Sequence, residues 1–380
     1  MRIALIDPGA YTPPYDDRLA SSLGARGHDV ALLTAPFRFG DAPAPDGYRR
    51  EELLFRLSAS LFRGAPRSPL RLPVKALEYV PGVRTLRRRI DELDPDVVHL
   101  QWLVHRPDLD LRWLRSIADR RRTVLTAHDL WAMLEGRRGE WRRVFDVVDR
   151  VVVHSRRGLG ELLRIGLPAD KVARIPHAVF DPGGPAGAMP VAAGSTLLFF
   201  GLVRGYKGID LLLRALPEIV RRVPEARLIV AGDEHDPVGP FRTLAAELRI
   251  ADRVEWRPTF QGEPEIDGLM ATAALVVLPY RRRIDSSGVL ASALGRERPV
   301  VVSDVGNLGE TVEEFGAGKV VPPEDVDALA AACIHLLTDD EARARAIAGA
   351  RAARAALTWG RAAELHERLY EGIAAAAPGA

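Results

Sequence analysis

The sequence has one cysteine, Cys333, among its 380 residues. That excludes a disulfide scaffold and any cysteine-rich zinc module, and it fits a reducing cytoplasm. No apolar run approaches the roughly 18 residues that a spanning helix needs, which excludes a membrane-embedded protein. The opening MRIALID leads straight into a strand and lacks the long apolar core of a signal peptide, so a cytoplasmic chain is expected. Lysine is almost missing too: only Lys75, Lys171, Lys207 and Lys319 occur. Nearly all the positive charge is arginine, as GC-rich coding alone produces, and nucleic acid is not an expected partner. The net charge of +2 is close to none, yet it conceals a split. Residues 1–180 carry 31 Lys and Arg against 23 Asp and Glu, whereas 181–380 carry 22 against 28.

What is present is core material. Hydrophobic residues make up 47% and charged ones 27% of the chain, so a disordered polymer is excluded. The length suits two domains of ordinary size. Short apolar runs alternate with amphipathic stretches: Ile3–Ile6, Val30–Leu33, Val97–Leu100, Val124–Thr126, Val151–Val153 and Val172–Ile175 read as strands, with a helix at Tyr15–Arg26. A second series follows at Leu197–Phe200, Leu228–Ala231, Val254–Trp256, Leu275–Leu278, Val300–Ser303 and Lys319–Val321. Helices at Gly208–Val220 and Asp325–Leu337 separate some of these strands. From about Asp339 to Ala377 the alanine-rich pattern predicts helix throughout. Buried strands alternating with helices mean parallel sheets covered on both faces. The expected architecture is α/β, two Rossmann-like domains facing across a cleft. The expected division is 1–180, a Gly/Pro/Ala-rich linker at 181–194, 195–357, and a final helix at 358–380.

Residues from about 48 to 93 fit neither series. Arg49, Arg56, Arg63, Arg71, Lys75, Arg84 and Arg87 are interleaved there with Leu53, Phe55, Leu57, Leu61 and Leu77. Such a stretch suits a helical insertion packed on its own domain. It equally suits peripheral contact with an anionic membrane, on the inner face for a cytoplasmic chain. The two readings are compatible.

In open parallel sheets ligands bind beyond the carboxyl ends of the strands, where loops enter helix N-termini. After Leu197–Phe200 comes Gly201-Leu202-Val203-Arg204-Gly205-Tyr206-Lys207-Gly208. Two cations between glycines, just ahead of a helix, are what a diphosphate requires; an ordinary loop with exposed cations is the bland alternative. After Leu275–Leu278 comes a run through Arg281-Arg282-Arg283-Ile284-Asp285-Ser286-Ser287-Gly288-Val289. Ser286 or Ser287 suits a helix cap, leaving the N–H groups of Ser287, Gly288 and Val289 for an anion. Asp285 could accept hydrogen bonds from sugar hydroxyls, or serve only as an N-terminal carboxylate beside a solvated arginine run.

These two loops, with Arg298-Pro299-Val300-Val301 and Asp304-Val305-Gly306, resemble those of family 4 glycosyltransferases. Gly27-His28-Asp29-Val30, Asp96-Val97-Val98-His99, Thr126-Ala127-His128-Asp129, Val152-Val153-His154-Ser155 and Ile175-Pro176-His177 follow in that family's order, so the likeness covers essentially the whole chain. The resemblance implies a GT-B fold and a retaining hexosyltransferase of glycan or glycoconjugate biosynthesis. Its second domain would grip a nucleotide diphosphate sugar as substrate, and its first would hold a hydroxyl acceptor on a glycan, glycolipid or small molecule. The final helix would cross back to the first domain. The implied catalytic set is His128, Arg204, Lys207 and Asp285, with Gly201, Gly205, Ser287, Gly288, Val289 and Ser292 on the donor and Thr12, Pro13, Pro14 and Tyr15 as the acceptor-side loop. No cofactor or metal is implied.

Three departures stand out. Thr12-Pro13-Pro14-Tyr15 replaces the family's glycine-rich loop. The family's paired glutamates fall on Ile284, beside Asp285, and on uncharged Ser292. Its phosphate-loop arginine falls on Leu202, with Arg204 two places later. His99, His154 and His177 read as packing or supporting residues. Asp94-Pro95-Asp96 and Asp108-Leu109-Asp110 imitate a metal-binding D-x-D but read as caps. Gly158-Leu159-Gly160, inside a helix, lacks a dinucleotide fingerprint. A nucleotide-sugar-binding protein without transfer activity, or an epimerase or hydrolase of the same fold, stays open.

Overall fold

The structure, a computed structural model, describes residues 1–40, 42–65, 68–104, 106–182, 194–281, 284 and 286–375. The chain forms two compact units, Met1–Pro176 with the segment from Trp359 onward, and His177–Thr358.

The first unit is built on a parallel sheet in the order β3-β2-β1-β4-β5-β6-β7. Its strands are β1 (Arg2–Asp7), β2 (Asp29–Thr34), β3 (Arg49–Glu52), β4 (Val97–Leu100), β5 (Arg122–Thr126), β6 (Arg150–Val153) and β7 (Val172–Arg174). Every residue of β1 after Arg2 is buried, as both-face coverage demands. Strand β3 corrects the expected all-helical insertion. Its residues, Arg-Arg-Glu-Glu, pair in register with Ala31–Thr34 of β2. Four charged residues carry no hydrophobic period, and only an edge position tolerates them. The rest of the insertion is helical, at Arg56–Leu61 and Arg71–Leu93. Leu54, Phe55, Val83, Leu86 and Ile90 turn inward to the core, while Leu57, Leu61, Leu70, Leu72 and Leu77 are exposed.

The second unit has the order β10-β9-β8-β11-β12-β13, again parallel. Here β8 is Thr196–Phe200, β9 Arg227–Ala231, β10 Val254–Arg257, β11 Leu275–Leu278, β12 Val300–Ser303 and β13 Gly318–Val321. Successive residues of β8 enter different cores. Leu197 and Phe199 pack on one face and Leu198 on the other, which makes the run continuously apolar.

The boundaries differ slightly from expectation. Residues 177–180 pack with the second unit, where Val179 N–H donates to Leu357 O and Phe180 N–H to Ala291 O. The expected linker lies mainly at 183–193, outside the described residues. The C-terminal pattern is two helices, Asp340–Ala356 in the second unit and Trp359–Ala375 in the first. Trp359–Ala375 packs on Pro13–Ala25. Glu367 there accepts from Arg26 and lies 3.0 Å from His28 Nε2. No proline marks this break, and Gly360 falls inside the later helix, so composition alone reads through it.

Each strand order reverses once, between β1 and β4 and between β8 and β11. Ligands of such sheets bind at that reversal.

Candidate functional site

In the second unit the loops after β8 and β11 meet at the reversal. Gly201 has φ +109°, and a Cβ there would stand 2.8 Å from Lys207 Nζ and 2.9 Å from a methyl of Val289. The missing side chain is what lets the lysine and the Val289 helix end approach the strand. Gly208 (φ +72°) caps the short turn Gly205–Lys207 and starts the helix Ile209–Arg222. Lys207 is only 7% exposed, and its Nζ lies 5.4 Å from the centre of the Tyr280 ring. Burial, and then the charge of Arg204, push its amine down to about 7. Arg204 adds a buried Nε without a hydrogen-bond partner. Two cations, Lys207 buried and Arg204 partly buried, thus stand together at one helix entrance.

Ser287 is the cap, its hydroxyl accepting from Leu290 N–H at 3.3 Å. Gly288 and Val289 open the helix Gly288–Gly295, and Ser292 is buried one turn further on. Arg281 is more than a solvated cation, which goes against the bland alternative for that member of the arginine run. It clamps Asp210 through two bonds of 2.6 and 2.5 Å, donates to Gly205 O and reaches Glu324. Its own N–H donates to Tyr206 O. Asp236 holds the same loop from the other side by accepting from Gly205 N–H at 2.7 Å. The cation loop is therefore pinned before any ligand arrives. Arg282, Arg283 and Asp285 lie outside the described residues.

In the first unit the reversal joins the ends of β1 and β4. Asp7 closes β1, and its carboxylate accepts from the N–H groups of Gly9, Tyr11 and Thr12 at 3.3, 2.6 and 2.9 Å. That carboxylate occupies main-chain donors that a glycine-rich loop would offer to a ligand. Asp16 is equally buried and shares a hydrogen bond with Asp7, and burial raises both carboxyls, Asp16 the further. Pro13 and Pro14 are helical, not loop, and form the first turn of Pro13–Ala25, where a missing N–H costs nothing. Tyr15 is buried edge-on against His128 and Trp359.

His128 lies at the end of β5, stacked on Trp102 with ring centres 5.3 Å apart. Its Nε2 donates to Gln101 Oε1 at 2.8 Å, and its Nδ1 lies 3.4 Å from His154 Nε2. Trp102 Nε1–H donates to Thr12 Oγ1. His99 is fully buried between Tyr370 Oη and Thr126 Oγ1. Of the two D-x-D motifs read as caps, only Asp94 is one, as the left-handed C-cap of Arg71–Leu93; Arg106 is the N-cap of Pro107–Ala118, with Asp108 and Asp110 in its first turn. Asp94 and Asp96 bind Arg2 and, for Asp94, Arg121; Asp110 is buried and accepts from Tyr79 Oη and Trp113 Nε1. Among the described residues no group of three or more His, Cys, Asp and Glu could hold a metal ion.

Comparison with known proteins decides the family. Residues 17–180 match the family described as Glycosyltransferase Family 4, and residues 194–339 that described as Glycosyl transferases group 1. The chain belongs to glycosyltransferase family 4. It is 26% identical to a phosphatidyl-myo-inositol mannosyltransferase of Mycolicibacterium smegmatis, over 99% of this chain and 95% of that one. It is 28% identical to a D-inositol 3-phosphate glycosyltransferase of Xylanimonas cellulosilytica, over 91% and 87%. Among solved structures it resembles sucrose-phosphate synthase from Thermosynechococcus elongatus, with a TM-score of 0.76, 22% identity and coverage of 99% and 100%. It also resembles HepE from Anabaena in complex with UDP and glucose, with a TM-score of 0.73, 17% identity and the same coverage. The fold is GT-B.

The glycosyltransferase thus brings Gly201, Gly205, Arg204, Lys207, Ser287, Gly288 and Val289 to one strand reversal, and Thr12, Tyr15 and His128 to the other. Leu202, at the family's arginine position, is 40% exposed. Sequence reading missed Gln101 and Trp102, although the same rule of looking just past a strand end finds them after β4. It also missed Arg281–Asp210, whose partners stand far apart in sequence and give no local signal.

Proposed function

We propose that this glycosyltransferase moves a hexose from a nucleotide diphosphate sugar to a hydroxyl acceptor with retention of configuration. The observation that carries the proposal is Lys207: an amine buried against Gly201, reinforced by Arg204 and facing a capped helix entrance. A diphosphate is the donor fragment that such a site suits. The UDP bound by HepE is a fragment of the same kind.

Retention by two displacements needs a carboxylate poised at the sugar face; Asp285 is the carboxylate that the two donor loops carry in sequence, and we assign it to hydrogen bonds with sugar hydroxyls instead. We therefore favour same-face substitution, in which the departing phosphate helps to deprotonate the acceptor. Arg204, Lys207 and the N–H groups of Ser287–Val289 would stabilise the charge that grows on that phosphate. His128 is assigned to the donor's sugar or phosphate, with Gln101 and Trp102 fixing its ring. Cations in place of a metal imply activity in EDTA. Nucleoside diphosphate release that needs an acceptor and survives EDTA supports this reading. Release without acceptor means a hydrolase, none at all means a binding protein, and rescue of an EDTA-silenced enzyme by Mn²⁺ or Mg²⁺ contradicts the metal-free step.

Peripheral attachment to an anionic membrane belongs to the same proposal. No helix among the described residues is long and apolar enough to cross a membrane. Leu57, Leu61, Leu70, Leu72 and Leu77 are nonetheless exposed in a segment rich in arginine. Flotation with anionic vesicles is expected to recover more protein than with neutral ones, and more than for Leu72→Ser/Leu77→Ser. Equal recovery in all three removes the membrane from the account.

A further inference from the structure

The first unit holds a group of cations that the transfer chemistry above leaves unused. Arg71 and Lys75 on the helix Arg71–Leu93, with Arg38 beyond β2, gather around Tyr11 in the loop after β1. Lys75 Nζ lies 3.3 Å from Tyr11 Oη and 4.4 Å from the centre of the Phe55 ring. Arg71 is only 8% exposed, and its buried Nε has no hydrogen-bond partner. Arg38 and Arg71 both act on the Tyr11 hydroxyl, and Arg38 and Arg71 act on each other. Burial first, and then Arg71 and Arg38, push the Lys75 amine down to about 8.

Asp7 and Glu78 offset part of this charge at Lys75, and Glu78 does so at Arg71, but each carboxylate is hydrogen-bonded to other partners. Glu78 accepts from the N–H groups of Leu57 and Ser58. Asp7 serves the N–H groups of its own loop and is hydrogen-bonded to Asp16. Like charges held together away from bulk water oppose one another, and an entering anion relieves them. The β1 loop cannot receive that anion through its main chain, because Asp7 already holds the donors. Side chains must do so. Guanidinium groups offer paired N–H donors that match phosphate oxygens, and an ammonium and a phenol complete the grip. Tyr11 is 48% exposed, so the group is open to solvent at that ring. The same loop carries Thr12, which is bonded to the Trp102 that stacks on His128.

We propose that Arg38, Arg71, Lys75 and Tyr11 form a subsite for a phosphate ester on the acceptor, so that this enzyme glycosylates a phosphorylated hydroxyl compound. This rests on the transferase reading and names its acceptor class. The phosphate could belong to a soluble phosphomonoester or to a phospholipid headgroup, and the test separates the two.

The full chain is titrated calorimetrically with myo-inositol monophosphate and with myo-inositol. It is also titrated with phosphatidylcholine vesicles with and without phosphatidylinositol, and with UDP-glucose and GDP-mannose as donor controls. Wild-type protein is expected to bind a phosphate-bearing probe and not its phosphate-free counterpart. Lys75→Gln and Arg71→Gln should weaken that binding about ten- to a hundredfold, the range for hydrogen bonds to charged groups. Lys207→Ala should leave it unchanged. Binding of the soluble probe identifies a free phosphate ester; binding only to vesicles with phosphatidylinositol identifies a headgroup. Arg71 is buried, so if Arg71→Gln fails to fold, Lys75→Gln and Arg38→Gln carry the comparison. Donor binding without binding of either phosphate probe overturns the subsite and leaves the transferase reading standing. So does equal probe affinity in wild type and variants. Probe binding that is lost in the variants, in a protein that binds neither nucleotide sugar, sustains the subsite and counts against the donor reading.

Discussion

Lys207→Ala is expected to lower kcat by about 10²–10³, the loss seen when one electrostatic stabiliser of a transition state is removed. The lysine stands at the end of a pinned loop, buried against Gly201, where it needs no rearrangement to meet charge. As the sugar–oxygen bond breaks, negative charge grows on the leaving diphosphate, and the ammonium gains strength at that moment. An interaction made mainly in the transition state lowers kcat beyond any change in KM. Arg204→Ala should cost the same or less. The double variant should lose less than the product of the two, because both cations act on one diphosphate. Steady-state kinetics on folded protein decides. A Lys207→Ala enzyme that keeps more than about half its kcat/KM contradicts the clamp, given the loss expected for such a stabiliser.

Gly208→Ala should unsettle the same loop through packing alone. Its φ of +72° lies in the left-handed region, and a Cβ would stand 2.0 Å from the carbonyl oxygen of Pro279. That carbonyl is main chain and cannot swing away. Left-handed strain of about 1–2 kcal/mol joins overpacking of roughly 1–3 kcal/mol, which places the loss near 3 kcal/mol. For a unit of this size that lowers Tm by roughly 6–12 °C. Gly205→Ala is the internal control. Its Cβ would meet only Asp236 Oδ2, at 3.8 Å, so stability should change by no more than about 0.5 kcal/mol. Thermal melts that place the two variants together would contradict this account of the loop.

Both sheets were legible in the sequence because their central strands are buried on both faces. Leu197-Leu198-Phe199 is apolar without interruption since each neighbour fills a different core. Strand β3 escaped notice for the opposite reason: Arg49-Arg50-Glu51-Glu52 is held at a sheet edge by main-chain bonds, and its side chains advertise nothing. The donor loop was legible through Gly201 and Gly208, whose positive φ and crowded Cβ positions leave other residues little room. What surrounds that loop was not. Arg281 looked like one of three solvated arginines, and only the tertiary fold brings Asp210, 71 residues away, into its fork. The first unit shows the same division. His128 follows a strand end and is easily found, whereas the Gln101 and Trp102 contacts that orient it depend on β4 lying beside β5. The Asp7 carboxylate that fills its own loop, and the phosphate subsite argued from it, required side-chain geometry.

The account rests centrally on Lys207 meeting a diphosphate, and calorimetric titration with UDP-glucose and GDP-mannose across pH 6 to 9 tests this most directly. These diphosphates are doubly esterified and do not titrate there, so the protein alone sets the trend. Burial and Arg204 hold the free amine near 7, well below the ordinary lysine value. A bound diphosphate favours the ammonium and raises it again. Below about 7 the charge is already present; above it, binding must first bring in a proton. Affinity for the donor should therefore fall as pH rises through 7, by up to about tenfold per unit, until the pKa of the complex is reached. Lys207→Ala should bind more weakly at low pH and lose that slope. Equal affinity and equal slope in wild type and Lys207→Ala, or no binding of either nucleotide sugar, would contradict the account.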